Sequence, residues 1–226
     1  MLSLRVVITA GPTREHFDSV RFISNASSGR MGYAIAEAAR DAGHRVTLIS
    51  GPVEIAPPRG VKTIRVVSAA EMARETRLAF HDTDAAIFAA AVSDYRPKAR
   101  AKRKGPKSSR DQRIVLVPTV DIAASLGRIK GRRVTIGFAL EDHNGRAHAE
   151  AKLARKSLDA IILNDPSNIG SDRASAELLR RDGPWVKWPR SSKRAMARRI
   201  VAELERLAQF SKARAARGPI SRPTKL

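Results

Sequence analysis

Between Ser24 and Gly32 the chain reads Ser-Asn-Ala-Ser-Ser-Gly-Arg-Met-Gly and runs directly into a helical apolar pattern. Hydroxyls, a flexible glycine and a helix start are the parts of an anion site, because the first N–H groups of a helix point outward and its dipole favours negative charge. The same letters describe an ordinary N-cap, since serine often opens helices. Both meanings stand at this point. A second cluster, Ala89-Ala90-Ala91-Val92-Ser93-Asp94-Tyr95-Arg96-Pro97, places small residues where a backbone can approach a planar or phosphate-bearing ligand. Asp94 is either a ligand-facing carboxylate, directly or through Mg2+, or the head of an Asx-turn with Tyr95 packed as core. The lysine-rich stretch that follows favours the first, because lysines on a loop beside a crevice neutralise phosphate charge. Phe138 offers a ring that stacks on a base or packs as an ordinary core aromatic. Lys152 and Lys156, four residues apart, share one helix face, which is as consistent with a solvated surface as with a site.

Other chemistries are absent from the letters. The histidines (His16, His44, His81, His143 and His148) show no HxxxH or HExxH spacing for zinc, and there is no GxSxG elbow. With no cysteine there is no disulfide framework, thiolate metal site or cysteine nucleophile. The first turn is Ala10-Gly11-Pro12-Thr13, and Gly29 and Gly32 come a long excursion later, so the GxGxxG dinucleotide fingerprint is missing. An NAD(P)-linked reductase loses ground there.

The elements that must position these residues follow from periodicity. Strands are expected at 4–9, 45–50, 61–67, 84–92, 113–117, 133–138 and 160–163, the 84–92 run being apolar enough for the middle of a parallel sheet. Helices are expected at 32–42, from a Ser68/Glu71 capping box through Phe80, at 121–126, at 147–157 and at 191–210. Residues 176–181 and 185–188 read as a β-hairpin near the sheet edge, joined through Asp182-Gly183-Pro184. The alternation predicts an α/β fold: a doubly wound, Rossmann-like, mostly parallel sheet with a C-terminal β-hairpin and helix. Ligands of such sheets bind outside the carboxyl ends of the strands, which directs attention to 10–32, 89–107, 137–142 and 164–169.

The chain has 226 residues, 42% of them hydrophobic, and no apolar run near 20, so it reads as one globular domain without a membrane span. The start, MLSLRVVITA, reads as a strand rather than a signal peptide, and the expected compartment is the cytoplasm. Charge is unevenly spread. Of a net +21, residues 97–110 carry seven basic groups and no acid, and residues 211–226 carry five. The loop invites phosphate; the tail, with Pro219 and Pro223, reads as disordered. A basic nucleic-acid-binding module is the rival from another class, opposed by an aromatic content of 4% and the lack of a recognised motif.

ITAGPTRE (8–15), VRFISNASSGRMGYAIAE (20–37), VTLISGP (46–52), AAAVSDYRPK (89–98), LVPTVDI (116–122), IGFALE (136–141) and LDAIILND (158–165) together resemble the phosphopantothenoylcysteine synthetase family. These are the phosphopantothenate–cysteine ligases of coenzyme A biosynthesis, here in the bacterial CTP-using form. The ordered pair SNxSSG and AAVxDYRP is the specific part. The resemblance implies a ligase domain over residues 1–210 with residues 211–226 as a basic tail, and two half-reactions. The carboxylate of 4′-phosphopantothenate attacks the α-phosphate of CTP to give an acyl-cytidylate and pyrophosphate. The amine of L-cysteine then attacks the activated carbonyl and releases CMP.

The same resemblance implies roles for residues. Asn25 falls on the asparagine that holds the acyl-cytidylate, and Arg21, Ser27, Ser28 and Gly29 on the substrate side. Phe88, Ala89, Ala90, Ala91 and Asp94 fall on the nucleotide-contacting strand end. Val120, Asp121, Ile122, Ala123, Phe138, Lys152 and Lys156 fall on further nucleotide-binding positions. Lys104 falls on the mobile-loop lysine that serves activation, with Lys102 and Lys107 close by. The sequence departs from the family's pattern at Gly105-Pro106, Leu140 and Val120. Also implied are Mg2+ with CTP, no flavin, and a homodimer; the metal's ligands are not identified. With about seven residues ahead of the first motif, a ligase without the flavin-binding decarboxylase domain is expected. One cavity holding Asn25, Asp94 and Phe138 is expected as well. Nucleic acid enters only non-specifically, through the tail.

Overall fold

The computed structural model describes residues 2–107, 109–165 and 171–216, without the side chains of 214–216. In chain order the elements are β1 (Arg5–Ala10), β2 (Arg14–His16), β3 (Phe22–Ser24), α1 (Arg30–Asp41), β4 (Arg45–Ser50), β5 (Lys62–Arg65), α2 (Ala69–Phe80) and β6 (Ala85–Phe88). There follow β7 (Tyr95–Pro97), β8 (Leu116–Pro118), α3 (Ile122–Arg128), β9 (Val134–Leu140), α4 (Gly145–Arg155), β10 (Ala160–Asn164), β11 (Arg173–Arg180), β12 (Trp185–Ser192) and α5 (Lys193–Ala216). The main sheet runs β12-β11-β10-β9-β6-β1-β4-β5. The pairs from β10 to β5 are parallel, and β11 and β12 close the edge antiparallel.

Alternation along each strand divides the apolar residues between two faces. Ile8, Leu48, Ile87, Ile136 and Ile162 meet α1 and α5 through Ile35, Ala39, Ile200 and Leu204. Val7, Ile49 and Ile161 meet α2, α3 and α4 through Met72, Phe80, Leu126 and Leu153. Burying each such large side chain is worth about 1.5–3 kcal/mol, so the two cores hold the sheet from both sides. Gly32 shows how tightly α1 sits: a Cβ there would lie 2.5 Å from the Cβ of Ala10. No helix among the described residues is long and apolar enough to cross a membrane.

The expected doubly wound sheet, edge hairpin and final helix are all present. Ser68 Oγ accepts from Glu71 N at 3.2 Å, while Glu71 Oε2 accepts from Val67 N rather than from the capping residue itself. Several boundaries differ. The strand expected over 84–92 stops at Phe88, because the chain beyond it turns across the end of β1. The strand expected over 113–117 is instead β8, paired antiparallel with β7 in a separate ribbon outside the main sheet. A second ribbon, β2–β3, fills the excursion between β1 and α1. Helix α5 continues past Phe210 to Ala216, so residues 211–216, read as tail, are helical. Residues 217–226, with Pro219 and Pro223, lie outside the described residues, as do 166–169 of the fourth strand-end segment.

Candidate active site

Past Phe88 the chain is pinned across the carboxyl end of β1. Ala89 N donates to Thr9 O, Ala90 N to Thr9 Oγ1, and Ala91 N to Gly11 O, while Thr13 N returns to Ala91 O. Ser93 N donates to Thr13 Oγ1 at 3.0 Å, and Thr119 Oγ1 donates to Ser93 O at 2.6 Å. The threonines thus hold residues 89–94 as a fixed wall across the strand ends, and Ala90, Val92 and Asp94 of that wall line a cleft.

One cleft, of about 170 Å³, is lined by Phe88, Ala90, Asp94, Val120, Asp121, Ile122, Ala123, Phe138, Lys152 and Lys156. Thr9, Val92, Thr119, Gly137, Leu158 and Ile161 complete it and were not foreseen. Ala89, Ala91 and Lys104, assigned to the nucleotide by the sequence, do not line it. The Asp94 carboxylate is exposed and has no hydrogen bond or ion pair among the described residues, and Tyr95 is 54% exposed. The Asx-turn and the core tyrosine are therefore both set aside. Phe138 is half-buried and serves two purposes, packing on the core and walling the cleft.

The two lysines are held in place rather than solvated. Lys152 Nζ donates to Glu141 Oε1, and His148 Nδ1 shares the other carboxylate oxygen at 3.1 Å. Burial alone raises the Glu141 carboxyl, but the hydrogen bond and charge of Lys152, with those of His148, outweigh it and hold the group below the usual glutamate range. Lys156 Nζ lies 3.2 Å from Asp121 Oδ1, and the same oxygen accepts from Ala124 N to cap α3. Gly127 makes this fit possible, since a Cβ there would fall 1.9 Å from the carbonyl oxygen of Lys156. The start of α3 and the end of α4 are thereby locked together around the cleft.

The other cleft, of about 760 Å³, is lined among others by Asn25, Ser27, Ser28, Arg14, Arg30 and Arg65. Helix α1 opens on Gly29 at φ 72° with no side-chain cap. Ser27 Oγ accepts from Gly29 N at 3.3 Å and so is not the N-cap. Arg21 and Gly29 line neither cleft. Arg21 Nε is held 2.6 Å from Asp18 Oδ2. Asp18 is 1% exposed, and the backbone N–H of Arg21, with that of Val20 and the Arg21 side chain, brings its carboxyl down to about 2 against the cost of burial.

Sequence reasoning missed Arg14, Arg30 and Arg65. The last of these is the final residue of β5, which stops short of the strand expected over 61–67. The single cavity expected around Asn25, Asp94 and Phe138 is also corrected. Asn25 lines the cleft of about 760 Å³, and Asp94 and Phe138 line the cleft of about 170 Å³. Asn25 nevertheless reaches the wall, its Nδ2 donating to Ala91 O and Val92 O at 3.2 and 3.1 Å. Lys102, Lys104 and Lys107 are exposed, with no hydrogen bond or ion pair among the described residues. No group of three potential metal-ligating side chains occurs among the described residues.

The family model for the DNA/pantothenate metabolism flavoprotein C-terminal domain matches residues 1–207. The chain is 42% identical over 210 residues to the coenzyme A biosynthesis bifunctional protein CoaBC of Bacillus subtilis (strain 168), covering 90% of this chain and 52% of that protein. It is 47% identical over 169 residues to a cysteine/cysteine sulfinic acid decarboxylase of an unknown prokaryotic organism, covering 74% of this chain and 47% of that protein. The chain thus spans about half the length of these curated relatives. The crystal structure of the C-terminal domain of a coenzyme A biosynthesis bifunctional protein CoaBC matches with a TM-score of 0.80 and 39% identity, covering 91% of this chain and 96% of that one.

Proposed function

The chain belongs to the DNA/pantothenate metabolism flavoprotein C-terminal domain family, and from that membership we propose that it is a phosphopantothenate–cysteine ligase of coenzyme A biosynthesis that uses CTP. The observation that carries the reading is the link between two clefts of different chemistry at the carboxyl end of the sheet: Asn25, which lines one, is bonded to the carbonyl of Val92, which lines the other.

The cleft with Phe138, Lys152 and Lys156 takes CTP. Its aromatic and apolar walls suit a base, and its lysines suit phosphates. The cleft with Arg14, Arg30, Arg65 and the uncapped start of α1 takes the phosphate of 4′-phosphopantothenate. The substrate carboxylate attacks the α-phosphate, pyrophosphate leaves, and the acyl-cytidylate is held at Asn25 while the cysteine amine displaces CMP and gives up a proton. A carboxylate oxygen leaves poorly until it carries a phosphoryl group, so binding and charge neutralisation are most of the work. Neither step transfers electrons, and the reaction needs no flavin. Mg2+ fits the unpaired Asp94 carboxylate, since this ion is commonly held by one or two carboxylates plus substrate phosphates and supplies charge neutralisation there.

The homodimer and the cytoplasmic setting belong to the same reading. Exposed Val20, Phe22, Tyr95, Val115 and Leu116 on and beside the two ribbons support self-association, and a chain without cysteine suits a reducing compartment. The test is pyrophosphate release from CTP with Mg2+ and 4′-phosphopantothenate, followed by CMP release on adding L-cysteine. Pyrophosphate from neither CTP nor ATP overturns the reading.

A further inference from the structure

At the opposite pole, where β9 and β10 begin and β11 ends, a cleft of about 630 Å³ opens between the 130–133 turn, the 180–182 turn and the end of α5. Six cations line it. Three have carboxylate partners: Lys130 pairs with Asp159, Arg180 grips Glu203 through two bonds of 2.7 and 2.8 Å, and Arg206 lies 3.5 Å from Glu203. The other three do not.

Arg181 is fixed by two bonds to the carbonyl of Leu158, at 3.1 and 2.7 Å. Arg133 donates to His81 O and Lys130 O, and its Nε is buried with no partner. Arg132 makes no side-chain bond, although its carbonyl accepts from Ser211 Oγ, which ties the turn to α5. Carbonyls orient a guanidinium without cancelling its charge. Burial, with a smaller contribution from Arg181, holds Lys130 below an ordinary lysine even with Asp159 beside it. Asp182, at the lip, is the one lining carboxylate without a partner among the described residues. Beside these arginines Phe210 stands 59% exposed, with the Arg206 guanidinium 5.5 Å from its ring centre.

We propose that this pole is a second ligand site, separate from the strand-end clefts, that binds a nucleoside diphosphate: the phosphates on Arg132 and Arg181, the base against Phe210. The volume lies in the usual range for such ligands, guanidinium forks match phosphate oxygens, and an exposed ring beside them supplies stacking. Nothing in the inference depends on the ligase reading.

The test is calorimetric titration of the full chain with ADP, and separately with pyrophosphate. Arg132→Glu is expected to weaken ADP binding at least tenfold at unchanged melting temperature, while Lys152→Gln, which reads the strand-end cleft, leaves that event as it was. Phe210→Ala is expected to weaken ADP but not pyrophosphate. The proposal fails if ADP does not bind, if Arg132→Glu binds it as well as the unaltered chain, or if Lys152→Gln alone removes the binding. It also fails if a single-stranded oligonucleotide binds at these arginines and ADP does not.

Discussion

The Asn25 amide nitrogen lies 3.2 Å from the carbonyl oxygen of Ala91 and 3.1 Å from that of Val92, so both amide hydrogens are committed to the wall at 89–94. Turned the other way, the amide would set its oxygen against two oxygens, so its orientation is fixed by the backbone. What remains is Oδ1, an acceptor without a partner among the described residues. In the proposed reaction such an acceptor, lining the larger cleft, takes a hydrogen bond from the incoming amine.

Asn25→Ala is therefore expected to slow amide formation about 100-fold or more while slowing CTP-dependent pyrophosphate release by less than about tenfold. Asn25→Asp should be worse in both, because a carboxylate facing two carbonyls pushes the wall away. Pyrophosphate and CMP release measured separately distinguish the two. Equal losses in both half-reactions for Asn25→Ala would remove Asn25 from the second step.

Glu141 holds Lys152 beside the cleft proposed to take CTP. Replacing Lys152 by Met should weaken CTP about 10–100-fold, the range for losing one charge-assisted hydrogen bond of 1.5–3 kcal/mol. Glu141→Gln should weaken CTP by less, since the lysine keeps its charge and loses its anchor. The Glu141 carboxyl sits below its usual range, so the anchor is intact above about pH 4.3 and lost as acid titrates the folded-state group. Calorimetry with CTP checks the order; Glu141→Gln weaker than Lys152→Met contradicts it.

Much of this was legible from the letters, for identifiable reasons. Apolar runs such as those of β4 and β6 can only sit inside a covered parallel sheet, and the strand-end rule then picks out Asp94 and Phe138. What the letters could not carry was the wall. Its bonds run from Thr9, Thr13 and Thr119 to backbone at 90–93, and side chain–backbone pairing over such separations leaves no periodic mark. Arg65 was missed because the strand was expected to run to Val67, which puts Arg65 inside the run, whereas β5 stops at Arg65. The pairing of Arg21 with the buried Asp18 was not legible either. An i, i+3 pair carries no sign of whether its partner is buried.

Gly32→Ala should cost about 1–3 kcal/mol, the range for overpacking, because the added methyl would meet Ala10 Cβ at 2.5 Å. For a domain of this size that lowers the melting temperature by about 2–4 °C per kcal/mol. Thermal unfolding in the absence of ligand reads it directly, and an unchanged midpoint would mean that α1 slides on the sheet freely.

Asp18 makes the acid limb of stability testable. Its carboxyl titrates at about 2 in the fold against 3.8 ordinarily, held there by N–H groups of the 18–21 turn. A depressed acid contributes stability in full above about pH 4, and that contribution fades as the pH falls toward 2. Unaltered protein should lose melting temperature across this window more steeply than Asp18→Asn, which should start lower and run flatter. Parallel curves would show that Asp18 is not the group responsible.

Lys104 is the cleanest test of the basic loop because it makes no hydrogen bond or ion pair among the described residues. It is exposed as well, so Lys104→Gln cannot act by breaking such a bond of the fold, and its melting temperature should match that of the unaltered chain. Any loss then reports a charge that meets the substrate only when the loop closes. The expected loss is about 100-fold in pyrophosphate release, the scale for one electrostatic group acting on developing phosphate charge. Lys102→Gln and Lys107→Gln should change it less than tenfold, because a charge even one side chain away misses the phosphate it must meet. If Lys104→Gln turns over normally while one of the others slows, the role moves to that lysine. If none of the three matters, activation proceeds without the loop, and the charge it needs comes from Lys152 and Lys156 within the cleft.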